Sequence, residues 1–147
     1  MPAKRAIHLR QYLMSDMNPV IRFLIISDTV WQGAYGLLRP IFALFIVDFI
    51  QGGNELVAGV AAAIFLVTRS VFQIPIASLI DRICGEKDDF WILFIGSLLG
   101  AALPLAYLFV DTPAELYLVQ FVFGTTLAFT YPSYMAVFTR HIDKQRE

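Results

Sequence analysis

Apolar residues in this chain run in four long blocks, Phe23–Ile50, Leu56–Ile80, Phe90–Val110 and Leu116–Thr139, divided by short polar breaks. Each block meets the ~20 residues that a helix needs to cross the hydrocarbon layer. The third and fourth hold no Asp, Glu, Lys or Arg. Backbone in lipid must satisfy its own hydrogen bonds, and the alternation of a barrel strand is absent. The pattern therefore predicts four transmembrane α-helices. The polar breaks carry the start signals. Asn18-Pro19 offers a cap followed by proline at the first helical position. Gly52-Gly53-Asn54 reads as a tight turn ending in a cap for the second helix, and Thr112-Pro113-Ala114-Glu115 as a capping box opening the fourth. Pro40, Pro75, Pro104 and Pro132 place one proline in each helix, and Gly96 and Gly100 form a GxxxG pair in the third.

Composition agrees. Of 147 residues, 58% are hydrophobic and 16% charged, and the mean hydropathy is +0.66. A soluble domain carries about half apolar and about a quarter charged residues. The excess places the chain in a lipid bilayer. A net charge of −1 points to no nucleic-acid partner. The single cysteine, Cys84, excludes an internal disulfide, and two histidines near opposite ends argue against a metal site. No nucleophile–base pair or phosphate loop suggests an enzyme, and no cofactor is expected.

The basic residues orient the helices. Lys4, Arg5, Arg10 and Arg22 precede the first block; Arg82 and Lys87 separate the second and third; Arg140, Lys144 and Arg146 follow the fourth. Only Arg39 and Arg69, of 11 in all, lie within blocks, and the turns Gln51–Glu55 and Asp111–Glu115 have none. The positive-inside rule then puts both termini in the cytoplasm. The expected order is a cytoplasmic tail (1–21), a four-helix region of the cell membrane (22–139), and a second tail or truncated loop (140–147). The first block is no signal peptide, because Asp28, Gln32 and Arg39 interrupt it and it outruns a signal core of about 7–15 residues. Ahead of it, Ile7–Met17 reads either as a membrane-surface segment or as a disordered tail.

Polar residues inside the blocks are the candidate chemistry. Asp28, Gln32, Tyr35 and Arg39 follow at intervals of four, three and four. At about 100° per residue they fall in a wedge of roughly 60°, one stripe down one helix face. Such a stripe either lines a cavity or reaches water from both ends, with Asp28 shallow and Arg39 snorkelling; the shared face of Gln32 and Tyr35 favours the cavity. Arg69 and Gln73 repeat the pattern in helix two. Asp28 lies about 8 Å into helix one and Arg69 about 16 Å from the inner end of helix two, and the length of the arginine closes part of that gap toward an Asp28–Arg69 interaction. It reads equally as a fixed ion pair or as part of a coupling or substrate site. Helix four adds Gln120, Gly124 and Tyr131 on one face, with Tyr134 close by; these serve a cavity only if helix one faces the same space. Helix three reads as an apolar, lipid-facing support.

The most specific signal lies between helices two and three: Ala77, then Asp81-Arg82, then Gly85 and Lys87. Gly85 would permit a turn closed to bulkier residues. This loop resembles the helix 2–3 signature of the major facilitator superfamily, with departures at Ala77, where glycine is usual, at Gly85, one place late, and at Glu86, where a second basic residue is common. Tyr35-Gly-Leu-Leu-Arg-Pro-Ile-Phe-Ala in helix one, Gln73-Ile-Pro in helix two and Phe138-Thr-Arg-His-Ile-Asp143 after helix four are similar to its N-terminal half. The resemblance implies an all-α membrane transporter that moves a small solute by alternating access. Asp81, Arg82, Gly85 and Lys87 would form a conformational latch against the other half. Asp28, Gln32, Tyr35, Arg39, Arg69, Gln73, Gln120 and Tyr131 would face the solute cavity, with Asp28 coupling protons. Such transporters have about twelve spans built from inverted three-helix repeats. Four spans would make this a C-terminally truncated fragment whose partners are the missing helices. The alternative is a complete four-helix protein, acting as a small oligomeric exporter or a non-transporting scaffold.

Overall fold

The computed structural model describes residues 17–83 and 85–143. Helix α1 spans Pro19–Phe49, α2 Glu55–Ile83, α3 Glu86–Ala106 and α4 Pro113–Asp143, with a 3₁₀ turn at Tyr107–Phe109 extending α3. No strand occurs among the described residues. The tail before Met17, Cys84, and Lys144 and Arg146 lie outside them, so the expected surface segment falls almost wholly outside as well.

The starts follow the sequence signals. Asn18 Oδ1 accepts from the Val20 N–H at 2.9 Å with Pro19 in the first turn, and Asn54 Oδ1 accepts from the Val57 N–H at 2.9 Å. At α4, Glu115 Oε2 accepts from the Asp111 and Thr112 N–H groups at 3.0 Å each, while Thr112 Oγ1 receives the Glu115 N–H at 3.5 Å. That is the reciprocal capping box. Between α1 and α2, Gly52 takes a φ of +76°, a conformation that disfavours a side chain. The helices outlast the apolar blocks. Arg82 lies in the last turn of α2, Lys87 in the first turn of α3, and α4 continues to Asp143, so residues 140–143 are helical. Apolar runs mark the hydrocarbon layer, whereas backbone hydrogen bonding continues past it into the polar margin.

Among the described residues, three helices, Pro19–Phe49, Glu55–Ile80 and Lys87–Phe109, are long and apolar enough to cross a membrane. α4 has 31 residues, but Gln120 and its threonines, serine and tyrosines dilute its hydropathy. It runs the same distance beside them. The Gln51 N–H bonds Asp111 O at 2.9 Å at one end, and Arg140 meets Asp89 at the other.

α4 is the central helix. α2 and α3 pack along it, whereas α1 touches α2 and α4 sparingly. Ile46, Ile50, Ala61, Val110 and Leu116 form a core at the end bearing the two short turns; Phe65, Phe123 and Leu127 form one at mid-height, joined by Trp31, Tyr35 and Leu103. Gly124 sets the α2–α4 distance, because a Cβ there would lie 2.7 Å from the Phe65 carbonyl oxygen. Both members of the GxxxG pair are packing points: Gly96 abuts Thr130 and Gly100 receives the Trp31 ring. Outward, large apolar side chains are bare, with Phe23 72% and Phe109 82% exposed. Water does not tolerate an apolar surface so extensive, and lipid does.

Candidate functional site

A cavity of about 210 Å³ opens between the four helices. From α1 it takes Ser27, Asp28, Trp31, Gln32, Tyr35 and Arg39; from α2, Arg69; from α4, Thr130, Tyr131 and Tyr134. All four members of the predicted stripe reach it, and so do Arg69 and Tyr131. Gln73 and Gln120 do not. Gln120 is only 5% exposed, and the neighbouring Gly124 faces α2, so that face of α4 forms the α2–α4 seam. Gln73 shares a helix face with Arg69 but stands a turn further on, beyond the cavity's lining.

The cavity is polarised. The Arg39 Cζ lies 5.2 Å from the centre of the Tyr35 ring, and the Arg69 Cζ 5.5 Å from that of Tyr131, both within cation–π range. Tyr35 is fixed in turn by Phe65 and Phe123, with ring centres at 6.3 and 5.8 Å. Arg69 thus points at Tyr131, and no ion pair joins it to Asp28. Ser27 and Thr130 donate their hydroxyl protons to the Leu24 and Thr126 carbonyls of their own helices, at 2.9 and 2.8 Å. They offer the cavity acceptors only. The hydrogen-bond donors are therefore the two arginines, Gln32, the Trp31 indole N–H and the Ser97 and tyrosine hydroxyls.

Several contributors carry weak sequence signals. Ser27 and Trp31 flank the stripe one turn apart on α1, and Tyr134 follows Tyr131 by three. Leu93 and Ser97 bring α3 to the cavity, so that helix is not solely a lipid-facing support. Among the described residues, no three His, Cys, Asp or Glu side chains are grouped to hold a metal ion.

At the opposite end from the short turns, α2 and α3 meet within two residues. Asp81 and Arg82 belong to the last turn of α2 and Lys87 to the first turn of α3; the Arg82 and Lys87 side chains are exposed. Gly85 is extended, with φ −86° and ψ 175°. Any residue adopts that conformation, so the expected glycine-specific turn is not what this position provides. A pair that sequence reasoning passed over sits beside it. Arg140 Nη2 lies 2.8 Å from Oδ2 of Asp89, whose side chain is fully buried, and fastens the end of α4 to the start of α3. The signal is an acid at the edge of an apolar block and a base at the matching edge of another.

Comparison with known proteins places this arrangement. A profile of the Major Facilitator Superfamily matches residues 24–147. The Multidrug resistance protein MdtG of Salmonella arizonae, of Salmonella paratyphi B and of Salmonella newport are each 27% identical to the chain over 124 residues. The alignment covers 82% of this chain and 30% of each relative, so the chain spans less than a third of the curated relatives it matches. No solved structure matches. Both the apolar helices and the family profile identify an integral membrane protein, and the chain belongs to the Major Facilitator Superfamily.

Proposed function

We propose that the chain forms one wall of the solute pathway in a membrane transporter that works by alternating access. One observation carries this reading: the polar stripe of α1 opens on a cavity completed by Arg69 of α2 and Tyr131 and Tyr134 of α4. Isolated charges within membrane helices are costly unless they face protein or a water-filled path, and here they share one space. The name of its Salmonella relatives points to drug-like solutes. In this reading α1 and α4 are the equivalent first helices of two inverted repeats, both presenting polar faces to the pathway. Both termini are cytoplasmic, which puts the α2–α3 junction on the inner side, where Asp81 acts as the latch. Further helices of the transporter complete the cavity.

Asp28 is the proton-coupling group, as the one carboxylate among the described residues that line the cavity. The transporter containing this segment, reconstituted in proteoliposomes, tests the role. Asp28→Asn abolishes flux driven by a proton gradient and leaves solute exchange at equal pH intact. Undiminished proton-driven flux removes Asp28 from the mechanism, and Asp81→Asn turning over at the wild-type rate removes the latch.

A further inference from the structure

The charges around the cavity do not balance. Among the described residues, Arg39 and Arg69 both line it, against a single carboxylate, Asp28. Along α1, Arg39 stands eleven residues beyond Asp28, about 16 Å at the helical rise. Arg39 lies over the Tyr35 ring, and Tyr35 packs on Phe65, one turn before Arg69 on α2, so the two cations flank one part of the cavity. Among the described residues no ion pair links either arginine to a carboxylate; each lies over a tyrosine ring instead. A ring face holds a guanidinium without neutralising it, and the planar N–H donors at its edge still want an anion. Two such cations among apolar helices are costly, and an oxyanion accepting from both offsets the cost as no neutral or cationic solute does.

We propose that Arg39, Arg69 and the Tyr35 hydroxyl form an anion subsite, so that the cavity selects small organic anions bearing a carboxylate or a similar oxyanion. The aromatic rings of Trp31 and Tyr131 beside it suit a flat apolar body attached to that group. This inference takes the cavity to be the solute pathway proposed above.

Trp31 provides a direct readout in the transporter containing this segment once Trp91, the other tryptophan of these 147 residues, and any tryptophan outside them are replaced by Phe. With that variant of the full chain in lipid nanodiscs, para-nitrobenzoate quenches Trp31 emission saturably, and para-nitrobenzylammonium, the same ring with a cationic group, does so far more weakly. Arg39→Gln or Arg69→Gln lowers the affinity for the carboxylate about ten- to hundredfold, the loss of a charge-assisted hydrogen bond. Where a glutamine variant loses its helical circular dichroism, Arg39→Lys and Arg69→Lys replace it. These keep the carboxylate preference and weaken its binding. Equal quenching by the two ligands, or unchanged affinity in folded glutamine variants, overturns the anion subsite. Proteoliposome flux separates the two proposals. Carboxylate binding without transport keeps the subsite and removes the pathway; transport of the ammonium without carboxylate binding does the reverse.

Discussion

Tyr35 and Gly124 show how much a single position decides in this bundle. The stripe from Asp28 to Arg39 was readable because helical periodicity alone puts four residues on one face, and the cavity receives all four. Periodicity does not say which neighbour a face meets. Gln120 looked equivalent to Tyr131 in sequence, yet it is buried at the seam where Gly124 lets α2 approach. That seam yields a prediction. A Cβ at Gly124 would stand 2.7 Å from the Phe65 carbonyl oxygen and 3.0 Å from the Thr68 Cβ, both on α2, and neither can move without shifting that helix. Gly124→Val should cost about 1–3 kcal/mol by overpacking, seen as a lower thermal midpoint in detergent. Gly36→Ala, where nothing lies within 4 Å, should leave the midpoint unchanged or raise it by the about 0.5–1 kcal/mol that helical alanine gains over glycine. Equal losses at the two positions would mean that Gly124 is not a spacer.

Among the elements, the caps were legible because Asn18, Asn54, Thr112 and Glu115 act on their own helix ends, within four residues. The Asp89–Arg140 pair was not, since its partners stand about a third of the chain apart and only the antiparallel course of α3 and α4 unites them. Its two members are unequally placed. Asp89 is 0% exposed and Arg140 37%, so an arginine without its acid can turn to water, whereas the acid without this arginine stays buried. Arg140→Gln should therefore destabilise more than Asp89→Asn, by roughly 2–4 kcal/mol against about 1, below the full penalty for a deeply buried pair because Arg140 is part-solvated. The double variant Asp89→Asn/Arg140→Gln should recover part of the larger loss, and a thermal-unfolding double-mutant cycle measures it. Additive losses would mean that the two side chains do not couple.

Across the whole molecule, α1 is the helix least engaged by its neighbours, although it supplies most of the cavity's polar groups. Sequence could not foretell this imbalance, because the hydropathy of a block does not say which neighbours it packs against; it emerges only once α4 is seen to take α2 and α3 along its length. The orientation rests on charge placement, and it can be tested through the lone cysteine. Cys84 falls at the α2–α3 junction, the end where Arg82, Lys87 and Arg140 gather, whereas the turn through Gly52 and its neighbour at Asp111 carry no basic residue. Cytoplasmic leaflets are anionic and retain Lys and Arg, so the two ends should face opposite compartments. In intact cells, a membrane-impermeant maleimide should leave Cys84 unlabelled until the membrane is opened. Gly52 tolerates a probe poorly because of its positive φ, so the reciprocal site is Gln51, exposed on the same turn. In a Cys84→Ser background, Gln51→Cys should label from outside without permeabilisation. Labelling of Cys84 in intact cells, or of Gln51→Cys only after lysis, would invert the bundle and place the latch junction on the outer face.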